Sequence, residues 1–186
     1  MEQIRQLNPN QGACEEKVRG APPKNSSQER LSWELLVLTP ERVEKLWEQV
    51  QQFPIIFDDF GKGDYKSFVA KLTDRRNAFV DIGPGLGLAC LMGIRPRLDA
   101  TVHVVMFDRK LRGRESTFKE ILAYAFERLA LRRITAVVSS DATLAAALAL
   151  RLGFHREGTM RQAMLREGHY VDVEIYGLLR EELRTE

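Results

Sequence analysis

The hydrophobic pattern of this chain switches repeatedly between the two-residue period of a strand and the three-to-four-residue period of a helix. Trp33-Glu34-Leu35-Leu36-Val37-Leu38 reads as a first strand, so the folded domain begins near Leu31 and is expected to run to the C-terminus at Glu186. A helix follows at once: Thr39 is a good N-cap, Pro40 fits the first helical position, and Leu38 can staple against Val43. Val43, Leu46, Trp47 and Val50 carry its apolar stripe to about Gln52. Pro54 and residues 58–64 predict a loop. Tyr65, Phe68, Val69 and Leu72 then mark a second helix ending near Arg76.

Three strands come next. Ala78 to Ile82 and Leu86 to Ile94 form a hairpin around Gly83-Pro84-Gly85. Thr101 to Phe107 is apolar on both faces, as a central strand is. A basic loop, Arg109 to Arg114, leads into a helix striped by Phe118, Ile121, Leu122, Ala125, Phe126 and Leu129, with Thr117 and Glu120 as an expected capping box. Ile134 to Ser139 is a short parallel-type strand. Asp141 is the expected cap of an alanine-rich helix that closes at Gly153. Met160 to Leu165 and Tyr170 to Leu178 make a final hairpin. The order is β-α-α-β-β-β-α-β-α-β-β, an α/β chain with a mixed sheet.

Composition narrows the class. A chain of 186 residues with 44% hydrophobic and 29% charged residues supports one soluble domain with a real core. No apolar run is long enough to span a bilayer and no signal pattern opens the chain. With only Cys14 and Cys90, outside any metal-type spacing, a reducing, cytoplasmic setting without disulfides or metal is expected. A net charge of +2 gives no ground for nucleic-acid binding. Residues 1–30 are polar and poor in large apolar side chains, and read as a flexible arm able to engage a protein partner or a second copy of the chain.

The terminal block carries a resemblance. Leu152-Gly153-Phe154, Glu157-Gly158, Arg161, and Asp172 with Tyr176-Gly177-Leu178-Leu179, preceded by Arg133-Ile134-Thr135-Ala136, resemble the GNAT superfamily of N-acetyltransferases over residues 31–182. The branch most similar holds the ribosomal-protein N-terminal acetyltransferases and their bacterial and phage relatives. The resemblance implies a sheet splayed between its fourth and fifth strands, with acetyl-CoA in the opening. It also implies that the pyrophosphate lies on amides at the start of the long helix, where unsatisfied N–H groups favour anions. That assigns Met106, Phe107, Asp108, Lys110, Leu111, Arg112, Gly113, Arg114, Glu115 and Ser116 to cofactor binding.

Two departures from the family pattern bear on chemistry. The phosphate loop's second glycine is replaced by Glu115, whose charge Arg109, Lys110, Arg112 and Arg114 offset. The helix that commonly reads Asn-x-x-Ala-x-x-x-Tyr-x-x-x-Gly-Phe here has Ala142 and Ala149 at its Asn and Tyr positions, so the usual acid for the thiolate is absent. His103 and Ser139 are the remaining catalytic candidates. His103 titrates in the right range, though a packed core histidine is the plainer reading. Ser139 could donate to the thiolate. A thioester carbonyl would meet a backbone N–H at Met106 or Phe107. Glu157 and Asp172 read as ion-pair partners of Arg161, and Asp58, Asp59 and Asp64 as turn residues able to attract a cationic amine.

The sequence thus predicts an acetyl-CoA-dependent N-acetyltransferase acting on a primary amine, a protein N-terminus or a small amine, by direct transfer in a ternary complex. The second reading is a weakly active or inactive GNAT-fold assembly module that engages a partner through its N-terminal arm.

Overall fold

The computed structural model describes residues 31–53, 64–83 and 85–183. The arm at residues 1–30, the acidic pair Asp58 and Asp59 and the turn residue Pro84 lie outside these. The elements are β1 (Trp33–Leu35), α1 (Pro40–Gln51), α2 (Tyr65–Thr73), β2 (Ala78–Ile82), β3 (Gly87–Arg95) and β4 (Asp99–Met106), followed by α3 (Glu115–Arg128), β5 (Arg133–Ser139), α4 (Thr143–Arg151), β6 (His155–Arg166) and β7 (His169–Leu179). Their order is the expected one. The strands form one sheet, β1-β2-β3-β4-β5-β7-β6, in which only β4 and β5 run parallel.

Local chemistry explains several boundaries. Thr39 Oγ1 accepts from the Arg42 N–H at 3.2 Å and Pro40 opens α1. Asp64, expected as a loop residue, is the N-cap of α2 and accepts from the Lys66 and Ser67 N–H groups at 3.1 and 3.0 Å. α3 starts two residues before the expected capping box. Thr117 is instead fully buried, its hydroxyl facing the Leu31 N–H at 3.4 Å. Asp141 does not cap α4, whose N-cap is Ala142 without a side-chain bond. β1 stops at Leu35, because Val37 lies 70% exposed beyond its pairing with β2. β6 begins at His155, before the expected Met160. Its first residues are polar and exposed, and backbone pairing to β7 together with ion pairs of Arg156 with Glu174 and Glu157 with Arg133 holds them extended.

Two layers of helix cover the sheet. On one face Ile82, Leu91, Ile134, Ala136, Val138 and Leu178 join Phe118, Ile121, Leu122 and Phe126 of α3 and Leu148 and Leu152 of α4 in a single buried cluster. Burying each such side chain contributes about 1.5–3 kcal/mol. On the other face α1 is tied down by the ion pair of Arg42 with the buried Asp81 on β2, and Asp81 also accepts from the Gly85 N–H at 2.9 Å.

The signature residues hold the C-terminal half together. Arg133 of β5 forms a two-point ion pair with Glu157 of β6, one arm measuring 2.7 Å, across the intervening strand β7. The pair passes over Gly177, where an added Cβ would stand 2.6 and 2.7 Å from the two terminal Arg133 nitrogens. Glu157 therefore pairs with Arg133 and not with Arg161. Asp172 accepts from the Gln162 N–H at 2.8 Å, inside a bulge of β6.

Candidate active site

The parallel seam between β4 and β5 is short. Asp99↔Arg133, Ala100↔Ile134, Thr101↔Thr135 and Val102↔Ala136 pair, and nothing further does. Beyond them β4 continues against β3 to Met106, while β5 continues against β7 to Ser139. The two strands part and leave an opening inside the sheet.

Hydrogen-bond alternation decides which groups face it. The Phe107 N–H donates to Leu86 O at 2.9 Å, and that of Asp108 to the same carbonyl at 3.0 Å, so both point toward the β2–β3 turn. One residue earlier on an extended strand the direction reverses, and the Met106 N–H points into the opening. Of the two backbone donors considered for a thioester carbonyl, only Met106 has this direction.

The basic loop leads from the end of β4 to α3. Asp108 starts a short 3-10 turn, Arg109–Leu111, by accepting from the Lys110 N–H at 2.8 Å. Leu111 is 1% exposed, so its side chain anchors the loop in the core. Arg109, Lys110 and Arg112 are exposed. Gly113 has φ of 74°, a conformation that glycine adopts without strain. It turns the chain into α3, whose N-cap Arg114 makes no side-chain cap bond, with Ser116 half-buried in the first turn.

Glu115 is the first residue of α3, and its carboxylate is bonded to Arg151 at the end of α4, Nε to Oε1 at 2.7 Å. Partial burial pulls its pKa up, but its own helix-start amide, Arg151 and Lys119 outweigh that and leave it below the usual glutamate value. The negative charge that replaces the loop's second glycine is thus shared between its own helix-start N–H and Arg151. Sequence spacing gives no sign of this pair, which joins residues 36 apart in the chain.

The two catalytic candidates lie in different surroundings. His103 on β4 stands opposite Cys90 on β3. Part of its ring reaches solvent, yet the protein mass around it, and secondarily the Lys71 ammonium, lower its pKa. Ser139 ends β5 at the opening, 4% exposed. Its hydroxyl donates to Asp141, and Asp141 in turn pairs with Arg166 of β6 at 2.9 Å. Ser139 and then Arg166 hold the Asp141 carboxyl below the usual aspartate value. The Ser139 proton is thus committed to a carboxylate in this structure. Tyr176 is buried and donates to Glu174, whereas Tyr170 is 64% exposed near the β6–β7 turn. Among the described residues no group of three or more His, Cys, Asp or Glu side chains forms a metal site. Nor is any helix among them long and apolar enough to cross a membrane.

No family model matches the sequence. Over 140 residues, 75% of this chain and 75% of the relative, the chain is 36% identical to the uncharacterized N-acetyltransferase YoaA of Bacillus subtilis (strain 168). Among solved structures, a probable acetyltransferase superposes with a TM-score of 0.63 at 20% identity, covering 83% of this chain and 96% of that one. The spermidine N-acetyltransferase of Vibrio cholerae, in complex with CoA and spermine, superposes with a TM-score of 0.66 at 18% identity, covering 81% and 96%. At these identities the two structures establish the fold. The chain belongs to the GNAT-type N-acetyltransferases, a family of acyltransferase enzymes.

Proposed function

We propose that this protein transfers an acetyl group from acetyl-CoA to a primary amine within a ternary complex, with acetyl-CoA entering the β4–β5 opening. The observation that carries the reading is the early end of the β4–β5 ladder at Val102↔Ala136, beside a helix start whose approach is lined by exposed cations. In this reading the amides at the start of α3, with Arg112 and Arg114, hold the phosphates, since helix-start N–H groups and guanidinium groups both favour anions. The Met106 N–H would bond the thioester carbonyl and strengthen that bond as negative charge develops on the oxygen.

The transfer itself forms the N–C bond and breaks the C–S bond, and the amine must first lose its proton. Neutral His103, on the strand that carries Met106, can accept such a proton. Ser139 cannot donate to the leaving thiolate while its proton is held by Asp141, so in this reading it orders the end of β5. The acceptor is a primary amine, either a protein N-terminus, as in the ribosomal-protein branch, or a small amine. The structural neighbour from V. cholerae carries CoA and spermine in its complex, which supports the cofactor and the amine class.

Calorimetric titration with acetyl-CoA tests the proposal. Binding in the micromolar range is expected, weakened about tenfold or more by Arg112→Glu/Arg114→Glu through reversal of two charges. Absence of binding at millimolar cofactor refutes the reading and favours an assembly module. Unchanged affinity in the double variant places the phosphates elsewhere.

A further inference from the structure

Asp81 carries a charge where stability alone has little use for one. Among the described residues it is the one charged residue that is buried, 6% exposed on β2. Taking an ion pair out of water costs about what the pairing returns, so its partnership with Arg42 is weak ground for stability. Geometry gives a better account. One carboxylate oxygen meets Arg42 of α1, and the other accepts from the Gly85 N–H at 2.9 Å, inside the turn between β2 and β3. Gly83 and Gly85 both have positive φ, 50° and 85°, and glycine backbone is the least confined of any residue, so the turn gains from such a tie.

The turn holds the end of β4. Leu86 donates to the Ile82 and Gly83 carbonyls at 3.1 Å, and its own carbonyl accepts from both Phe107 and Asp108. Those two bonds close the β3–β4 ladder beyond the Gly87↔Met106 pair, and by alternation they set the direction of the Met106 N–H.

We propose that Asp81 is a positioning residue for the thioester: through the Gly85 N–H it fixes the Leu86 carbonyl, which holds Phe107 and so aims the Met106 N–H into the β4–β5 opening. The inference rests on the acetyl-CoA reading above. In that reading the α3 start and its cations meet the phosphates, whereas Asp81 bears on the acetyl end alone.

The test compares calorimetric affinities for acetyl-CoA and for CoA, which share their phosphates and differ in the acetyl group. Three full-length chains are used: unmodified, Arg42→Met/Asp81→Asn and Arg42→Met/Asp81→Leu. Both variants lack the ion pair, and only the first keeps an oxygen for the Gly85 N–H. A net hydrogen bond corresponds to about threefold to tenfold in affinity, so the unmodified chain should prefer acetyl-CoA by about that factor. Arg42→Met/Asp81→Asn should keep the preference to within about twofold, since its Gly85 bond survives. Arg42→Met/Asp81→Leu should lose it, with Kd for acetyl-CoA rising toward that for CoA and Kd for CoA changing by less than about twofold.

Equal weakening of both ligands in Arg42→Met/Asp81→Leu makes Asp81 a packing residue and overturns the inference. A preference kept in that variant, or lost in Arg42→Met/Asp81→Asn, overturns it as well, because the Gly85 bond is then not the link. So does an unmodified chain that binds the two ligands equally. Should the Arg42→Met background or the leucine fail to fold, Asp81→Asn and Asp81→Ala alone carry the same pair of expectations. A chain that binds neither ligand refutes the acetyl-CoA reading itself, and that result differs from each of the others.

Discussion

Replacing Gly87 with alanine tests the packing that fixes the basic loop. Gly87 begins β3 and pairs with Met106, the last residue of β4. A Cβ built there would collide with the Leu111 Cδ1 atom and stand 2.7 Å from the Val105 carbonyl oxygen. Leu111 is fully buried and Val105 O belongs to the backbone of the neighbouring strand, so neither can step aside cheaply. Overpacking of this kind costs about 1–3 kcal/mol, and the rigid backbone neighbour argues for the upper end. Stiffening the unfolded chain returns about 0.4–1 kcal/mol. The net is a destabilisation of about 2 kcal/mol, or about 4–8 °C in Tm for a domain of this size. Differential scanning fluorimetry and urea unfolding measure both. The Leu111→Ala penalty should also shrink in the Gly87→Ala background, because the two changes share one clash. A Tm within about 1 °C of the unmodified protein would refute the reasoning, since a close approach that relaxes freely anchors nothing.

Two further predictions concern single titrating groups. Burial pushes the Cys90 thiol up to about 12, so in a Cys14→Ser background it should resist a disulfide reagent at pH 8 until the chain unfolds; rapid labelling of the folded protein contradicts this. For His103 the folded pKa is lowered, so the unfolded chain takes up a proton that the folded chain refuses. Stability should therefore fall as pH drops below about 6.5, and His103→Gln should flatten that limb of a Tm–pH curve. An NMR titration of the His103 ring at or above about 6.5 would remove the basis for it.

The sequence made the scaffold legible because most of its information is local. Thr39 and Pro40 announce α1, Gly153 closes α4, and two-residue and helical periods mark nearly every element. Local pattern failed where pairing across the chain decides. β6 extends back to His155 because β7 pairs with polar residues that carry no strand signal of their own. Asp141 has the composition of a helix cap, but Ser139 and Arg166 compete for it and win. The shape of the β4–α3 loop was legible to the same degree. The basic loop and its glycine stand out as a run, whereas the Glu115 charge is met in part by an arginine two helices and a strand further along the chain. The signature residues Arg133, Glu157 and Gly177 prove to be one packed unit, which is why their spacing marks the fold so well and says little about chemistry.

The short β4–β5 seam has a mechanical consequence. Strands β1 to β4 form an antiparallel meander, β5 to β7 form a second antiparallel unit, and four parallel residue pairs stitch the two. Past Ala136 the ladder is already open, so widening the gap breaks no β4–β5 hydrogen bond. β5 and β7 stay paired through Ser139↔Val173, so past the last stitch each half-sheet keeps its own ladder. The sheet therefore carries two unpaired edges at its centre rather than only at its rim, held side by side by four residue pairs and by the core beneath them.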